Sequence, residues 1–146
     1  MMIRSVLLSG IAAIGGIALA GVASLAQEDA RGEMRTVEIR SYNLKPGMHE
    51  RFRRLFNEEA FPMLQRANID VIAFGPSLHD ENSWFLMRSF SSVGERQASE
   101  DAFYGSREWV EGPRNAVLDC IESYTTLVVE LDGTTVEGLR NIAHSK

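Results

Sequence analysis

The sequence holds a single cysteine, Cys120, so no disulfide can form within the chain. In "AVLDCIES" that thiol falls on a helix face, where a lone cysteine packs as a small apolar side chain. No run of five basic residues occurs, and the formal net charge is -5. Nucleic acid is a poor partner for such a surface, because phosphate binding needs clustered Lys and Arg. The sequence has no P-loop, no G-x-G-x-x-G fingerprint and no nucleophile–base–acid set. It also has no internal repeat and no low-complexity stretch. There are three histidines. His79 stands beside Asp80 and Glu81 in a loop, where consecutive residues rarely converge on one ion, and no second His has ligand spacing. His49 reads as a surface residue of a first helical turn, and His144 lies in the tail. No His or Tyr is singled out as a haem ligand, so neither metal nor cofactor is expected.

Apolar residues make up 45% of the 146, enough for the core of one domain. Residues 1–26 have a composition of their own: Arg4 in a short leading region, an uncharged apolar run from Val6 to Ala20, then small residues ending in "SLA". That order is a secretory signal peptide with cleavage after Ala26. An uncleaved anchor is the competing reading, since Val6 to Ala26 is just long enough to span a bilayer, but the Gly-rich composition favours cleavage. The implied location is the periplasm or the exterior, with no membrane attachment after cleavage.

Residues 27–34 are a polar lead-in, and the domain runs over 35–131. "RTVEIRSY" alternates with period two and predicts a strand at Arg35–Tyr42. "NLKPG" is a turn. From Met48 to Ala67 the apolar spacing of three and four predicts a helix, kinked at Pro62. Ile69–Gly75 and Trp84–Phe90 read as strands joined by a hairpin loop. Ser92 and Glu95 form a capping box that opens a helix to about Phe103. Ser106 caps a further helical segment, broken at Gly112-Pro113, with Trp109, Val110, Ala116, Val117, Cys120 and Ile121 on one side. Tyr124–Leu131 is the last strand, and 132–146 is a tail with helical spacing at Val136, Leu139 and Ala143.

The order β-α-β-β-α-β is the ferredoxin-like α+β arrangement: a four-stranded antiparallel sheet with the helices on one face. The other face stays bare unless something covers it. Yet Phe85 and Met87 oppose Trp84, Leu86 and Phe90, so both faces carry apolar residues. Such a face asks for a cover, and a second copy of the chain supplies one.

"VEIRSYNLKPG", "WFLMRSFSSVGER" and "FYGSREW", in that order, resemble the NIPSNAP family of the dimeric α/β-barrel superfamily over roughly Arg35 to Leu131. The resemblance implies a homodimer. It implies no reaction, although the superfamily also holds cofactor-independent monooxygenases, haem-degrading enzymes and isomerases.

Glu38, Arg40 and Tyr42 share one strand face, and Arg88 lies on the neighbouring strand in the predicted order. They read either as a polar cluster lining a cavity, with Arg as an anion or carbonyl clamp, or as a structural ion pair buried at the dimer face. Tyr104 and Trp109 bracket Gly105-Ser106 and read either as the wall of a pocket or as filler at the helix break. The candidate ligand-binding set is therefore Arg40, Tyr42, Trp84, Arg88, Tyr104 and Trp109, with no catalytic residue assigned. Three functions fit: an exported binding protein for a small, partly apolar molecule; a cofactor-independent monooxygenase or isomerase; and a dimer acting through protein contacts.

Export is checked directly. The mature protein is expected to begin near Gln27. N-terminal sequencing of protein from its own host reads this, and an intact Met1 in the cytoplasmic fraction refutes it.

Overall fold

The computed structural model describes residues 32–143, so the signal-peptide expectation and His144 lie outside the described residues. Strand β1 (Met34–Leu44) leads into helix α1 (His49–Leu55), a π-helical turn (Phe56–Ala60) and α2 (Phe61–Arg66). The hairpin β2 (Asp70–Pro76) and β3 (Ser83–Phe90) follows. Next come α3 (Val93–Tyr104), α4 (Arg107–Glu111) and α5 (Arg114–Cys120), then β4 (Ile121–Asp132) and α6 (Gly133–Ala143). The sheet has the order β2-β3-β1-β4 with every neighbour antiparallel. This is the ferredoxin-like α+β fold, and the central strand β1 is flanked on both sides.

The predicted kink at Pro62 takes another form. Proline has no N–H to give the carbonyl four residues back. The chain widens by one residue just before it, and the Phe61 N–H reaches the Phe56 oxygen. A π-turn absorbs the missing bond while the backbone stays helical. Phe52, Phe56, Met63 and Leu64 therefore all stay on the buried side.

Side chains alternate across β1 and β3. Tyr42, Leu44, Trp84, Leu86 and Phe90 face the helices and join Phe103, Trp109, Val117 and Cys120 in the main core. Phe52, Phe56, Phe74 and Trp84 pack ring against ring at 4.8–6.4 Å between centroids. Of these, the fully buried Phe52, Phe56 and Trp84 each remove enough apolar surface to contribute roughly 1.5–3 kcal/mol. Val110 is 47% exposed, so it does not share the buried side of its helix with Trp109.

The opposite sheet face is not left bare by the chain. Helix α6 crosses it and buries Val136 against Val37 and Ile72. Arg140 holds the helix there, donating to both Asp70 oxygens at 2.8 and 3.0 Å and to the Val71 carbonyl at 3.1 Å. The tail spacing predicted a helix, but its docking on the sheet needed the partners on β2. β4 is longer than predicted and starts directly after Cys120. As an edge strand it leaves Tyr124, Leu127 and Val128 exposed. Among the described residues, no helix is long and apolar enough to cross a membrane.

Two close approaches set the path between α3 and α5. A Cβ on Gly105 would lie 2.8 Å from the Asp101 carbonyl oxygen, and one on Gly112 would collide with the Glu108 carbonyl oxygen. Gly112→Ala is therefore expected to lower stability by about 1–3 kcal/mol, as other overpacked sites do. Urea unfolding measures it, and an unchanged midpoint would show that the turn relaxes freely.

Candidate functional site

The site grows from a helix whose inner face is polar. Ser92 caps α3 by accepting the Glu95 N–H at 3.1 Å. The Glu95 carboxylate reaches back to the Ser91 N–H and hydroxyl, one residue beyond the cap. This seats α3 over β1 and β3 so that Arg96 and Glu100, one turn apart, point down at Glu38 and Arg88.

The result is a closed cage of charge. Glu38 and Arg88 have no exposed surface, and Glu100 is 9% exposed. Arg40 Nη2 lies 3.0 Å from Glu38 and 2.8 Å from Glu100. Arg88 Nη2 donates to both carboxylates. Arg96 donates from Nε to Glu38 at 2.6 Å and pairs with Glu100 at 2.8 Å. Each of the three guanidiniums thus touches each of the two carboxylates. Burial disfavours the Glu38 carboxylate, but Arg88, followed by Arg40 and Arg96, holds its carboxyl below its ordinary value of 4.5. Burial likewise works against the Arg40 charge, and the Tyr104 oxygen and the carboxylates more than offset it. The buried Tyr42 phenol is pushed well above the usual range, chiefly by burial, and stays neutral.

Beside the cage lies a hollow of about 440 Å³ lined by Arg40, Tyr42, Glu100, Tyr104, Trp109, Arg114 and Tyr124, among others. Tyr104 joins cage to hollow: its oxygen accepts from Arg40 Nη1 at 2.9 Å and from Arg88 Nη1 at 3.4 Å. The Arg40 guanidinium lies 5.7 Å from the Tyr104 ring centre and 5.3 Å from that of Tyr124, within reach of a cation–π attraction. Ser106 caps α4 by accepting the Trp109 N–H at 3.2 Å. That cap turns the Trp109 ring inward against Phe103 and Tyr104, at 5.3 and 5.7 Å. Trp109 is 5% exposed, so it fills core and walls the hollow at once.

Of the six residues named from sequence, Arg40, Tyr42, Tyr104 and Trp109 line the hollow, and Arg88 lies beneath it. Trp84 lies elsewhere, in the aromatic core with Phe52, Phe56 and Phe74. The Glu38 pairs with Arg88 and Arg40 do form, but on the helix-covered face of the sheet rather than at a free face. His79, Asp80 and Glu81 sit in the β2–β3 loop, where Asp80 accepts the Asn82 N–H.

The family model of NIPSNAP matches residues 37–130. The chain belongs to the NIPSNAP family. The cage and all six residues fall inside the matched segment. Among solved structures, a NIPSNAP family protein of unknown function from Agrobacterium tumefaciens is 18% identical, with a TM-score of 0.63 over 69% of this chain and 91% of that one. A NIPSNAP-like domain protein from Burkholderia xenovorans is 17% identical, with a TM-score of 0.60 over 65% and 83%. A putative antibiotic biosynthesis monooxygenase from Nitrosomonas europaea shares the fold at 14% identity, with a TM-score of 0.51 over 64% and 95%. Among curated proteins none matches.

Glu100 and Arg96 complete the cage and lie outside the six residues named from sequence. The signal was available: α3 has hardly any apolar stripe, and its buried positions are Glu100 and Phe103. A helix on a sheet that turns Arg and Glu inward must find charges waiting there.

Glu38 carries the pH dependence. Its carboxyl is depressed in the folded state, so its contribution is complete above 4.5 and is lost as pH falls through the folded value. Glu38→Gln is expected to cost about 3–5 kcal/mol at neutral pH, because buried guanidiniums lose a counter-charge. Its acid unfolding profile is expected to be shallower below pH 4.5 than that of the wild type. Urea unfolding across pH reads both, and parallel profiles would refute the assignment.

Proposed function

We propose that this NIPSNAP protein is exported, pairs with a second copy of itself and binds a small, partly apolar molecule in the hollow beside Tyr104 and Trp109. The observation that carries the reading is the hollow: about 440 Å³, walled by aromatic rings, with one guanidinium edge at its floor. Binding sites of small molecules combine such aromatic walls with fixed polar groups that orient the ligand. Trp84 does not line the hollow and packs in the aromatic core with Phe52, Phe56 and Phe74.

Pairing is supported by β4 and by what α6 leaves uncovered. Leu127 on the edge strand is 55% exposed, and Ile39 and Met87, paired beside it on the same face, are only partly buried. A second sheet laid there would remove that apolar area from water, and a stable dimer of this kind buries about 2,000 Å² in total. The reading as a cofactor-independent monooxygenase rests on the fold shared with the Nitrosomonas protein, and a shared fold does not carry chemistry.

Native mass spectrometry of protein purified from its own host tests the proposal. The expected spectrum shows twice the mass of the mature chain plus a small molecule released on activation. A monomer with no retained molecule overturns it.

A further inference from the structure

The cage has an unbalanced charge. Three guanidiniums, of Arg40, Arg88 and Arg96, face two carboxylates, of Glu38 and Glu100, which leaves one positive charge over. Buried charge in excess of its partners is costly, and an anion placed against it recovers the difference. The donors are also in excess. Among the described residues, the Nε atoms of Arg40 and Arg88 are buried without an acceptor. The Tyr104 oxygen already accepts from Arg40 and Arg88, so its own O–H is left to donate away from the cage.

Among the hollow's other charged groups Asp101 is negative and Arg114 positive, so the surplus of one positive charge is unchanged. The Glu100 oxygens are taken by the cage, and Asp101 accepts from Gln97 at 2.8 Å. Arg114 is exposed on the rim, and its hydrogen bond goes to the neighbouring Asn115 side chain at 3.2 Å. A ligand entering here meets the Tyr104 O–H, the Arg114 guanidinium and a surplus of one positive charge, between the rings of Trp109 and Tyr124.

We propose that the ligand of this hollow is a flat aromatic molecule bearing one carboxylate, received by the Tyr104 hydroxyl and the Arg114 guanidinium over the cationic edge of Arg40. This rests on the binding reading above and narrows it to a charge class. Charge-assisted hydrogen bonds to a carboxylate are short and roughly twice as strong as neutral ones.

Equilibrium dialysis of the full mature chain with 2-naphthoate, neutral 2-naphthamide and cationic 2-naphthylmethylammonium tests it. The carboxylate is expected to bind about tenfold more tightly than the amide, the scale of one hydrogen bond to a charged group, and the cation least of all. Arg114→Gln and Tyr104→Phe are each expected to weaken the carboxylate five- to tenfold and to change the amide less than twofold, on the same hydrogen-bond scale. Arg114 is exposed, so its variant keeps the fold even where loss of the Tyr104 hydroxyl disturbs the cage. Equal binding of carboxylate and amide, or preference for the cation, overturns the charge class while the binding reading stands. Carboxylate binding untouched by both variants overturns the placement. Retention of none of the three probes counts against both.

Discussion

Glu38 is an ionised carboxylate on the central strand with no contact with water, and the surrounding elements are arranged to keep it charged. Arg40 comes from the same strand, Arg88 from the neighbouring one, and Arg96 with Glu100 from the helix above. A buried carboxylate without partners would be costly enough to neutralise itself or to break the packing. Helix α3 is therefore bound to the sheet largely by charge, with Phe103 as its buried apolar contact. The aromatic core around Trp84, Phe52 and Phe56 does that apolar work at the other end of the same sheet face.

This division accounts for the hollow. A continuous apolar helix would pack flush on β1. Here α3 stands on a polar cage, ends at Gly105, and the helix restarts as α4 after the close approach at Gly105 and as α5 after that at Gly112. Tyr104 and Trp109, at that break, have rings large enough to seal the core from one side and not large enough to fill the space beside Arg40. The charge that fastens the helix thus also borders the hollow.

The open face follows a different logic. Helix α6 lies on it through Val136 and the Arg140–Asp70 pair, which leaves the β4 side as the apolar remainder. An edge strand as long as β4 invites pairing, and charged or covered edges are how soluble proteins avoid it. Glu122 and Glu130 are the charges on its exposed length, with an uncharged stretch between them.

By itself the sequence determined what depends on local periodicity. The alternation around Glu38, the three-and-four spacing from Met48, and the caps at Ser92 and Ser106 each need only a few neighbouring residues, so the order of elements, the sheet and the strand faces were legible. The grouping of Arg40, Tyr42 and Arg88 was legible too, because strand pairing follows from that order. Tertiary structure decided what depends on closure over distance. Arg96 and Glu38 are 58 positions apart, and Arg140 and Asp70 are 70 apart. Trp84 looked like a pocket residue and became core, since its surroundings are set by Phe52, Phe56 and Phe74 from other elements. Side-chain type states what a residue can do, but which charges meet and which rings line a space depends on how separate elements dock, and no local pattern records that.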